Sequence, residues 1–361
     1  MHDPSQLAPE PVREGVGTSG AERNWPLNSW WVAAHGSEVS DKPLLRWIAE
    51  MPISLYRTEA GQIAALHNRC PHRWAPLHMG EVRGDNLICP YHGMQFAPSG
   101  QCTKVPTQNK TPSAIRVRSF PAVERYGFIW LWTGDAAHAN PAEIPEDLRF
   151  LDARNWHSVW GYFSVQANYM QIKENVLDLT HFAFLHKKSL AIPGWERAPQ
   201  VETTAERVTY RQVFEMDPLP PIYAVPAGKN PGTPVNRVNW GTQLTPGINM
   251  GAIDMNDPAP GPGEVESFHM RVLHLTSPVS IAKTHYYWVL ARDHGEPFDV
   301  EATRAQTHAI FGEDIEMVEA IQAMAQRAID QDGAIEYSVN ADQAAIEGRR
   351  RVQKLIKAEQ A

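Results

Sequence analysis

Two cysteine–histidine pairs stand close together in the first third of the chain. His72 follows Cys70 by two positions, His92 follows Cys89 by three, and sixteen residues separate the two pairs. Thiolates and imidazoles are ligands that soft and borderline metal ions prefer in proteins. Two loops that each carry one pair can therefore close on one metal centre.

Two kinds of metal centre use two cysteines and two histidines. A structural zinc ion takes four mixed ligands in a tetrahedron, whereas a Rieske [2Fe-2S] cluster has two cysteines on one iron and two histidines on the other. Zinc motifs usually begin with two cysteines, but each pair here holds one cysteine and one histidine. The pattern favours the iron–sulfur cluster, which would transfer electrons. Buried free cysteines beside surface histidines are a further alternative, and the third cysteine, Cys102, has no partner in these interpretations.

A second group of metal-binding side chains lies at 175–186, in the sequence NVLDLTHFAFLH. His181 and His186 are five positions apart, or about 140° on a regular helix, so we expect the helix to end or bulge between them. Two histidines and one carboxylate with open positions bind Fe(II) in non-haem oxygenases. Asn175 and Asp178 precede the histidines and are candidate catalytic residues. A pair of hydrogen-bonded core histidines is the alternative explanation.

These motifs resemble those of the Rieske non-haem iron oxygenases. CPHR (70–73) and CPYHG (89–93) are similar to the two cluster loops of that family, and N-x-x-D-x-x-H-x-x-x-x-H (175–186) is similar to its iron-binding helix. FGEDIEMVEAIQ (311–322) resembles the segment that supplies the carboxylate ligand in the vanillate and dicamba O-demethylase group. The resemblance covers most of the chain from about Trp25 and implies both a Rieske cluster and a mononuclear Fe(II).

The resemblance implies that Asp314 is the carboxylate ligand. Glu313 beside it is equally acidic, and an acidic residue that opens a helix is stabilised by the helix dipole without any metal. The family further implies that Asp178 accepts an imidazole N–H and bridges His92 of one chain to His181 of its neighbour. A ring of subunits, a homotrimer, would then be required for turnover.

The substrate contacts come from the same resemblance. Asn249 and His274 correspond approximately to polar contacts with a carboxylated methoxy aromatic compound in the O-demethylase group. A hydrogen-bonded polar group in the core is the alternative for each residue.

The function that the resemblance implies is that of the oxygenase component of a Rieske monooxygenase. It would use O2, and electrons from a separate NAD(P)H-dependent flavin and iron–sulfur reductase, to hydroxylate or O-demethylate a small aromatic acid. Ring cis-dihydroxylation and N-demethylation are alternatives within the family. A zinc-binding structural or interaction protein is the alternative from another class.

Composition narrows the classes of partner. The 361 residues carry a formal net charge of -8, and the basic residues form no run, so a nucleic-acid partner is not expected. Apolar stretches such as 128–132 are too short to span a membrane. The N-terminus lacks the basic region followed by an apolar region that is typical of a signal peptide. Three cysteines cannot build a disulfide framework of the secreted type. We therefore expect a cytoplasmic protein without a membrane partner.

Turn signals and composition divide the chain into three parts. Residues 1–24 are rich in Pro, Gly, Ser and Glu, which predicts a flexible arm. Over 25–136, short β-type runs alternate with turns and predict an all-β Rieske domain. Residues 137–361 should form a mixed α+β catalytic domain with a central antiparallel sheet, which by resemblance has a helix-grip (START-like) fold.

Within the catalytic domain the sequence predicts four features. Strand-like runs at 267–278 and 283–293 should lie side by side in the sheet. A helix is expected near 168–186, the Pro- and Gly-dense segment 217–263 is expected to form long loops, and 313–358 is expected to be helical.

Overall fold

The fold is described by a computed structural model that covers residues 11–12, 23–190, 198–295, 297–329 and 335–360. The predicted flexible arm therefore lies outside the described residues, apart from 11–12 and 23–24. The chain forms two compact units, here called the N-terminal unit (Trp25–Leu148 with Ser277–Ser280) and the C-terminal unit (Arg149–Thr276 with Ile281–Lys357). Within the described part of the chain, none of the helices has the length and apolar character that crossing a lipid bilayer requires.

Short antiparallel strands build the N-terminal unit. They form three sheets with the strand orders β10-β11-β2, β3-β4-β5 and β6-β7-β8-β9. After a two-residue strand β1 (Pro11–Val12), the strands of this unit are β2 (Trp30–His35), β3 (Leu44–Ile48), β4 (Met51–Arg57), β5 (Ile63–His67), β6 (Glu81–Arg83), β7 (Asn86–Ile88), β8 (Gln95–Phe96), β9 (Cys102–Lys104), β10 (Ala122–Arg125) and β11 (Phe128–Trp132).

The apolar sequence of β11, FIWLW, explains its central place. All five residues are buried, and the strand lies between β10 and β2, as expected of a run that is apolar on both faces. The two cysteine–histidine loops connect β5 to β6 and β7 to β8. The segment 115–120 contributes only isolated bridges, through Arg116 and Ser119.

A seven-stranded antiparallel sheet dominates the C-terminal unit, in the order β12-β18-β17-β16-β15-β14-β13. The α+β class and the neighbouring positions of β17 and β18 are confirmed. Its strands are β12 (His157–Val165), β13 (Gln200–Thr203), β14 (Val208–Pro218), β15 (Pro234–Thr245), β16 (Ile248–Asn256), β17 (Ser267–Ser280) and β18 (Lys283–Arg292), with a short β19 (Glu336–Tyr337) paired to β1. Its helices are α1 (Tyr169–Leu177), α2 (Pro221–Ala224), α3 (Val300–Ile329) and α4 (Gln343–Gln360).

The prediction of long loops over 217–263 is wrong. Two of the central strands, β15 and β16, run through this segment and pair along most of their length. Pro246 and Gly247 form the tight turn that joins them. The glycines within the strands, Gly241 and Gly251, lie opposite each other in the sheet. The Pro and Gly content therefore marks a hairpin and two strand positions that carry no side chain.

The helices that carry the second group of polar residues differ from the prediction at two points. α1 ends at Leu177, and a 3-10 helix over Leu179–Ala183 carries His181 and ends before His186. The helix therefore ends between the two histidines, as expected, but the regular α-helix already stops before His181. α3 begins at Val300, well before the predicted start at residue 313. Asp314 is thus in the middle of a long helix, and stabilisation by a helix N-terminus cannot explain it.

Candidate metal centres and active site

The two cysteine–histidine loops share one backbone design. In each loop the cysteine N–H donates to the carbonyl five residues on, and the cysteine carbonyl accepts from the N–H four residues on. The distances are 3.0 and 2.8 Å at Cys70, and 2.8 and 3.1 Å at Cys89. The fourth residue after each cysteine, Trp74 or Gly93, has a left-handed backbone with φ of 59° or 68°. Two copies of the same turn therefore present the two pairs.

The four donors separate into a thiol pair and an imidazole pair. The buried thiols of Cys70 and Cys89 contact each other, and the exposed rings of His72 and His92 have centroids 4.6 Å apart. No three of these four residues have ligand atoms all within 4.8 Å of one another. One zinc ion would need all four donors at about 2.0–2.3 Å from a single point. The segregated donors instead fit a cluster with two different irons.

Burial also bears on the state of the thiols. Desolvation raises the pKa of the Cys70 thiol to about 11, and the adjacent Cys89 adds to the effect. A cationic centre is what would hold both sulfurs as thiolates. Cys102 is buried in the same core cluster, where its thiol contacts the Lys104 carbonyl at 3.5 Å.

The second candidate centre joins three side chains that are remote in sequence. His181 Nε2 and His186 Nε2 lie 3.3 and 3.1 Å from the same Asp314 carboxylate oxygen, Oδ1. Among the described His, Cys, Asp and Glu residues, these three form the group whose ligand atoms all lie within 4.8 Å of one another. Two imidazoles and one carboxylate are the donor set that non-haem Fe(II) oxygenases use, so the residues present fit a mononuclear iron.

Hydrogen bonds behind the triad hold each imidazole in one orientation. His181 Nδ1 donates to the main-chain carbonyl of Asp178 at 2.6 Å, and His186 Nδ1 lies 2.7 Å from a Glu313 carboxylate oxygen. Such outer acceptors fix the tautomer, so that Nε2 is left to face a metal. Asn175 Nδ2 donates to Asp314 Oδ1 at 3.2 Å.

Asp178 contacts its own chain through both its backbone and its carboxylate. Its main-chain carbonyl contacts His181, whereas its carboxylate accepts the Thr180 N–H at 2.8 Å and caps the 3-10 helix. Its extended backbone, with φ −123° and ψ 103°, ends α1 and turns the chain toward the histidines.

The charges of the triad reinforce one another. Burial alone would raise the pKa of the Asp314 carboxyl, but hydrogen bonds from His181 and His186 outweigh it and hold that pKa well below its usual range. Burial opposes a charge on His186, yet Asp314 and Glu313 outweigh it and raise the pKa of this imidazole. The carboxylate is thus ionised at neutral pH, as a metal ligand must be.

The triad opens into a cavity of about 1110 Å³ between the sheet and the helices of the C-terminal unit. His274 on β17 lines it, as the sequence suggested for a substrate contact. Its Nδ1 lies 2.7 Å from the Tyr286 hydroxyl. Burial lowers the pKa of His274 to about 4, so the imidazole is neutral at physiological pH.

Asn249 is placed differently from the prediction. It is buried, is not among the described residues that line the cavity, and accepts a hydrogen bond at 2.7 Å from the buried Lys173 Nζ on α1. Burial lowers the pKa of Lys173 well below its usual value, so the amide partner offsets a costly burial. The alternative of a hydrogen-bonded core residue describes Asn249.

Sequence reasoning missed two contacts around the site. Glu313 is an alternative ligand by sequence, whereas in the structure it positions His186 and also accepts from the Ser189 hydroxyl at 2.8 Å. Tyr286, the partner of His274, carries no signal in the sequence that would identify it. Residue spacing cannot show either contact, because the partners come from different elements and meet only when the unit is packed.

Comparison with known proteins agrees with both donor sets. Residues 29–121 match the Rieske [2Fe-2S] domain, and residues 165–358 match the Vanillate O-demethylase oxygenase C-terminal domain. The oxygenase component of dicamba O-demethylase from Stenotrophomonas maltophilia is 33% identical, over 92% of this chain and 98% of that protein. The vanillate O-demethylase oxygenase subunit of a Pseudomonas species is 31% identical, over 93% and 96%.

A solved structure extends the agreement to the whole fold. The crystal structure of dicamba monooxygenase with non-heme iron and dicamba superposes with a TM-score of 0.78 at 32% identity, covering 92% of this chain and 98% of that one. The cofactors of the present chain are accordingly a Rieske [2Fe-2S] cluster and a mononuclear iron, and its two donor sets fit both. The chain belongs to the Rieske non-haem iron oxygenases, in the group of the vanillate and dicamba O-demethylase oxygenase components.

Proposed function

We propose that this chain is the oxygenase component of an aryl methyl ether O-demethylase. The observation that carries the proposal is the His181, His186 and Asp314 triad opening into a large cavity in the C-terminal unit. Bound there, iron supplies the activation of O2, and the Rieske cluster supplies electrons. The names of the relatives, dicamba and vanillate O-demethylase, support the ether as the substrate class.

The reaction balances with one O2 and two electrons. One oxygen atom enters a C–H bond of the methoxy group, and the other leaves as water with two protons. The resulting hemiacetal breaks its C–O bond to give formaldehyde and a phenol. The electrons come from a separate NAD(P)H-dependent reductase with flavin and iron–sulfur centres, and that need for NAD(P)H is our reason for placing the protein in the cytoplasm.

The residues of the chain would hold the substrate and the ligands in place. His274 is neutral because burial lowers its pKa to about 4. With Nδ1 engaged by Tyr286, its other ring nitrogen would hydrogen-bond an oxygen of the substrate. Asn175 and Glu313 would keep Asp314 and His186 aligned as ligands.

We further propose that electrons pass between subunits of a homotrimer, from His92 of one chain through Asp178 to His181 of the next. Exposed aromatic residues support an interface at each end of that route. Trp74 and Tyr91 on the cluster loops are 71% and 65% exposed, and Phe184 beside the triad is 75% exposed. Large exposed apolar side chains that gather in one place commonly mark protein contacts.

The test of the reaction is turnover with a panel of methoxylated, methylated and N-methylated aromatic acids in the presence of a generic reductase. We expect formaldehyde in a one-to-one ratio with the phenol from the methoxy compounds. Formaldehyde from the N-methyl compounds alone would make the protein an N-demethylase, and cis-diols without formaldehyde would make it a dihydroxylating enzyme.

A further inference from the structure

The cavity is larger than a one-ring aromatic acid requires. Its volume of about 1110 Å³ compares with roughly 300–1,000 Å³ for pockets that bury drug-sized ligands. The lining runs from Asp314 and the two histidines to residues in the far part of the sheet, such as Asn239 on β15. A substrate that fills this space would be longer than one ring.

Three successive rungs of the sheet border the cavity through His274, then Gly251, then Asn239 and Ile253. We call them proximal, middle and distal, in order of their distance from His274. His274 is the reference because its imidazole interacts electrostatically with Asp314 of the triad. Neighbouring rungs on one face are two residues apart, which is roughly 7 Å along a strand. The proximal rung pairs Asn249 with His274, the middle rung pairs Gly241 with Gly251, and the distal rung pairs Asn239 with Ile253.

In the middle rung, Gly251 leaves open space beside the backbone, whereas Gly241 does not. A Cβ at Gly241 would lie 2.4 Å from the Tyr210 ring, so this ring already covers that glycine. A Cβ at Gly251 would meet only Val272, with its nearest atoms at 3.8 and 3.9 Å. Gly251 therefore leaves space on the cavity side where an aromatic ring can lie against the backbone.

The distal rung contains an amide that has no partner. Asn239 is 1% exposed, and neither its Nδ2 nor its Oδ1 has a hydrogen-bond partner among the described residues. Its cross-strand neighbour on β16 is the apolar Ile253. A buried amide without hydrogen bonds is costly, so its presence in a cavity wall calls for a ligand that supplies them.

We propose that Asn239 binds the distal end of the substrate, and that this end is a neutral group that both donates and accepts hydrogen bonds, such as a carboxamide or a phenol. The substrate class is then a two-ring aromatic ether, with its methoxy end at the triad. This inference rests on the proposed function for the position of the ether. A carboxylate at the distal end could satisfy Nδ2 but would face the Asn239 oxygen with a negative charge.

The test is calorimetric binding to the holoprotein of three probes that differ only at one end: 4′-methoxybiphenyl-4-carboxamide, 4′-methoxybiphenyl-4-carboxylate and 4-methoxybiphenyl. We expect the carboxamide to bind about tenfold more tightly than the unsubstituted ether, and the carboxylate to bind more weakly than the carboxamide. Asn239→Leu should abolish the advantage of the carboxamide while leaving 4-methoxybiphenyl unchanged. Its melting temperature should not fall, because the leucine removes an unpaired polar group.

A second variant keeps the test decisive if the leucine protein does not fold. Asn239→Asp keeps the shape but removes the donor, and it should weaken the carboxamide by about tenfold as well. Undiminished carboxamide binding in either folded variant, or a preference of the unmodified protein for the carboxylate, would overturn the assignment. Such a preference would point to Arg292, which also lines the cavity.

The outcome is separable from that of the proposed function. Selective binding of the carboxamide without formaldehyde release would support the role of Asn239 and contradict the O-demethylase proposal. Turnover of one-ring methoxy acids, with no binding of any two-ring probe, would support the O-demethylase proposal and contradict the role of Asn239.

Discussion

The two candidate metal centres are built on opposite plans. The cluster ligands come from two loops that repeat the same hydrogen bonds around Cys70 and Cys89, so each half of that site is local. The triad takes two histidines from the 3-10 helix after α1 and the residues that follow it, and its carboxylate from the middle of α3, 128 residues beyond His186. A local site can be identified from residue spacing in the sequence. A site assembled by packing can be identified only from the fold, which shows which acidic residue lies beside the histidines.

The two centres also differ in how their imidazoles are held. The rings of His72 and His92 are exposed and lie against each other. The side chain of His186 is 1% exposed, and its Nδ1 is held by Glu313. The cluster therefore depends mainly on backbone turns, while the triad depends on side-chain partners.

The largest effects should come from removing one ligand of either centre. His186→Ala or Asp314→Ala should lose the mononuclear iron and the activity while keeping the coloured cluster, because the ligands belong to separate units. Cys89→Ala should lose the cluster and keep the iron. Iron content per chain and visible absorption measure both outcomes.

The matched control for this pair of sites lies on the same helix as Asp314. Glu316 is an exposed acidic residue of α3, so Glu316→Ala should keep both metals. Loss of the cluster in the Asp314 variant would mean that the two centres do not fold independently.

A severe slowing of electron transfer is the next expected effect, from Asp178→Asn. The amide oxygen can still accept the Thr180 N–H, and the main-chain carbonyl still holds His181, so both metals should remain bound. What disappears is the negative charge that would hold an imidazole N–H of the neighbouring chain. Single-turnover oxidation of the pre-reduced cluster measures the rate.

Mixing subunits tests the same route without altering Asp178. Mixed assemblies of Cys89→Ala and His186→Ala chains should recover part of the activity that neither parent has, since some interfaces would pair an intact cluster with an intact iron site. Verified mixed assemblies that stay inactive would contradict transfer between chains.

The contrast between a local site and a site assembled by packing also explains which features could be predicted from the sequence. The cluster residues, the two histidines and the neighbouring positions of β17 and β18 all follow from local spacing or alternation. The positions of Asn249 and Glu313 do not, because their partners, Lys173 and His186, are set by how α1 and α3 pack. The hairpin through Pro246 and Gly247 was missed since glycine in a strand interior has the same composition signal as a loop.

A moderate effect is expected at Glu313, which contacts the triad without belonging to it. Glu313→Gln keeps the size of the side chain but weakens the hydrogen bond to His186 Nδ1, and such partners typically change metal affinity by about 10- to 100-fold. Iron titration of the cluster-loaded protein measures the affinity, and excess iron should restore activity. If excess iron failed to restore it while iron was bound, Glu313 would have a role beyond orienting the imidazole.

The smallest effects should separate the two cluster loops, which share their backbone hydrogen bonds but carry different residues at the left-handed position. Gly93 and Trp74 both have left-handed φ angles, which cost a residue with a side chain about 1–2 kcal/mol. Gly93→Ala should therefore destabilise its loop by about that much, and its new Cβ would also lie 3.2 Å from the Pro106 side chain. Trp74→Gly relieves the same strain but gains freedom in the unfolded chain, about 0.5–1 kcal/mol.

The substitution of Trp74 also removes the contact with the Arg69 guanidinium, whose carbon lies 5.3 Å from the centre of the Trp74 ring. An exposed cation–π contact contributes only about 0.5–1 kcal/mol, so the three terms nearly cancel. The midpoint temperature for loss of the cluster absorption should fall for Gly93→Ala and change little for Trp74→Gly. If Trp74→Gly lowered it more, the tryptophan would be holding its loop by contacts that the shared backbone design does not require.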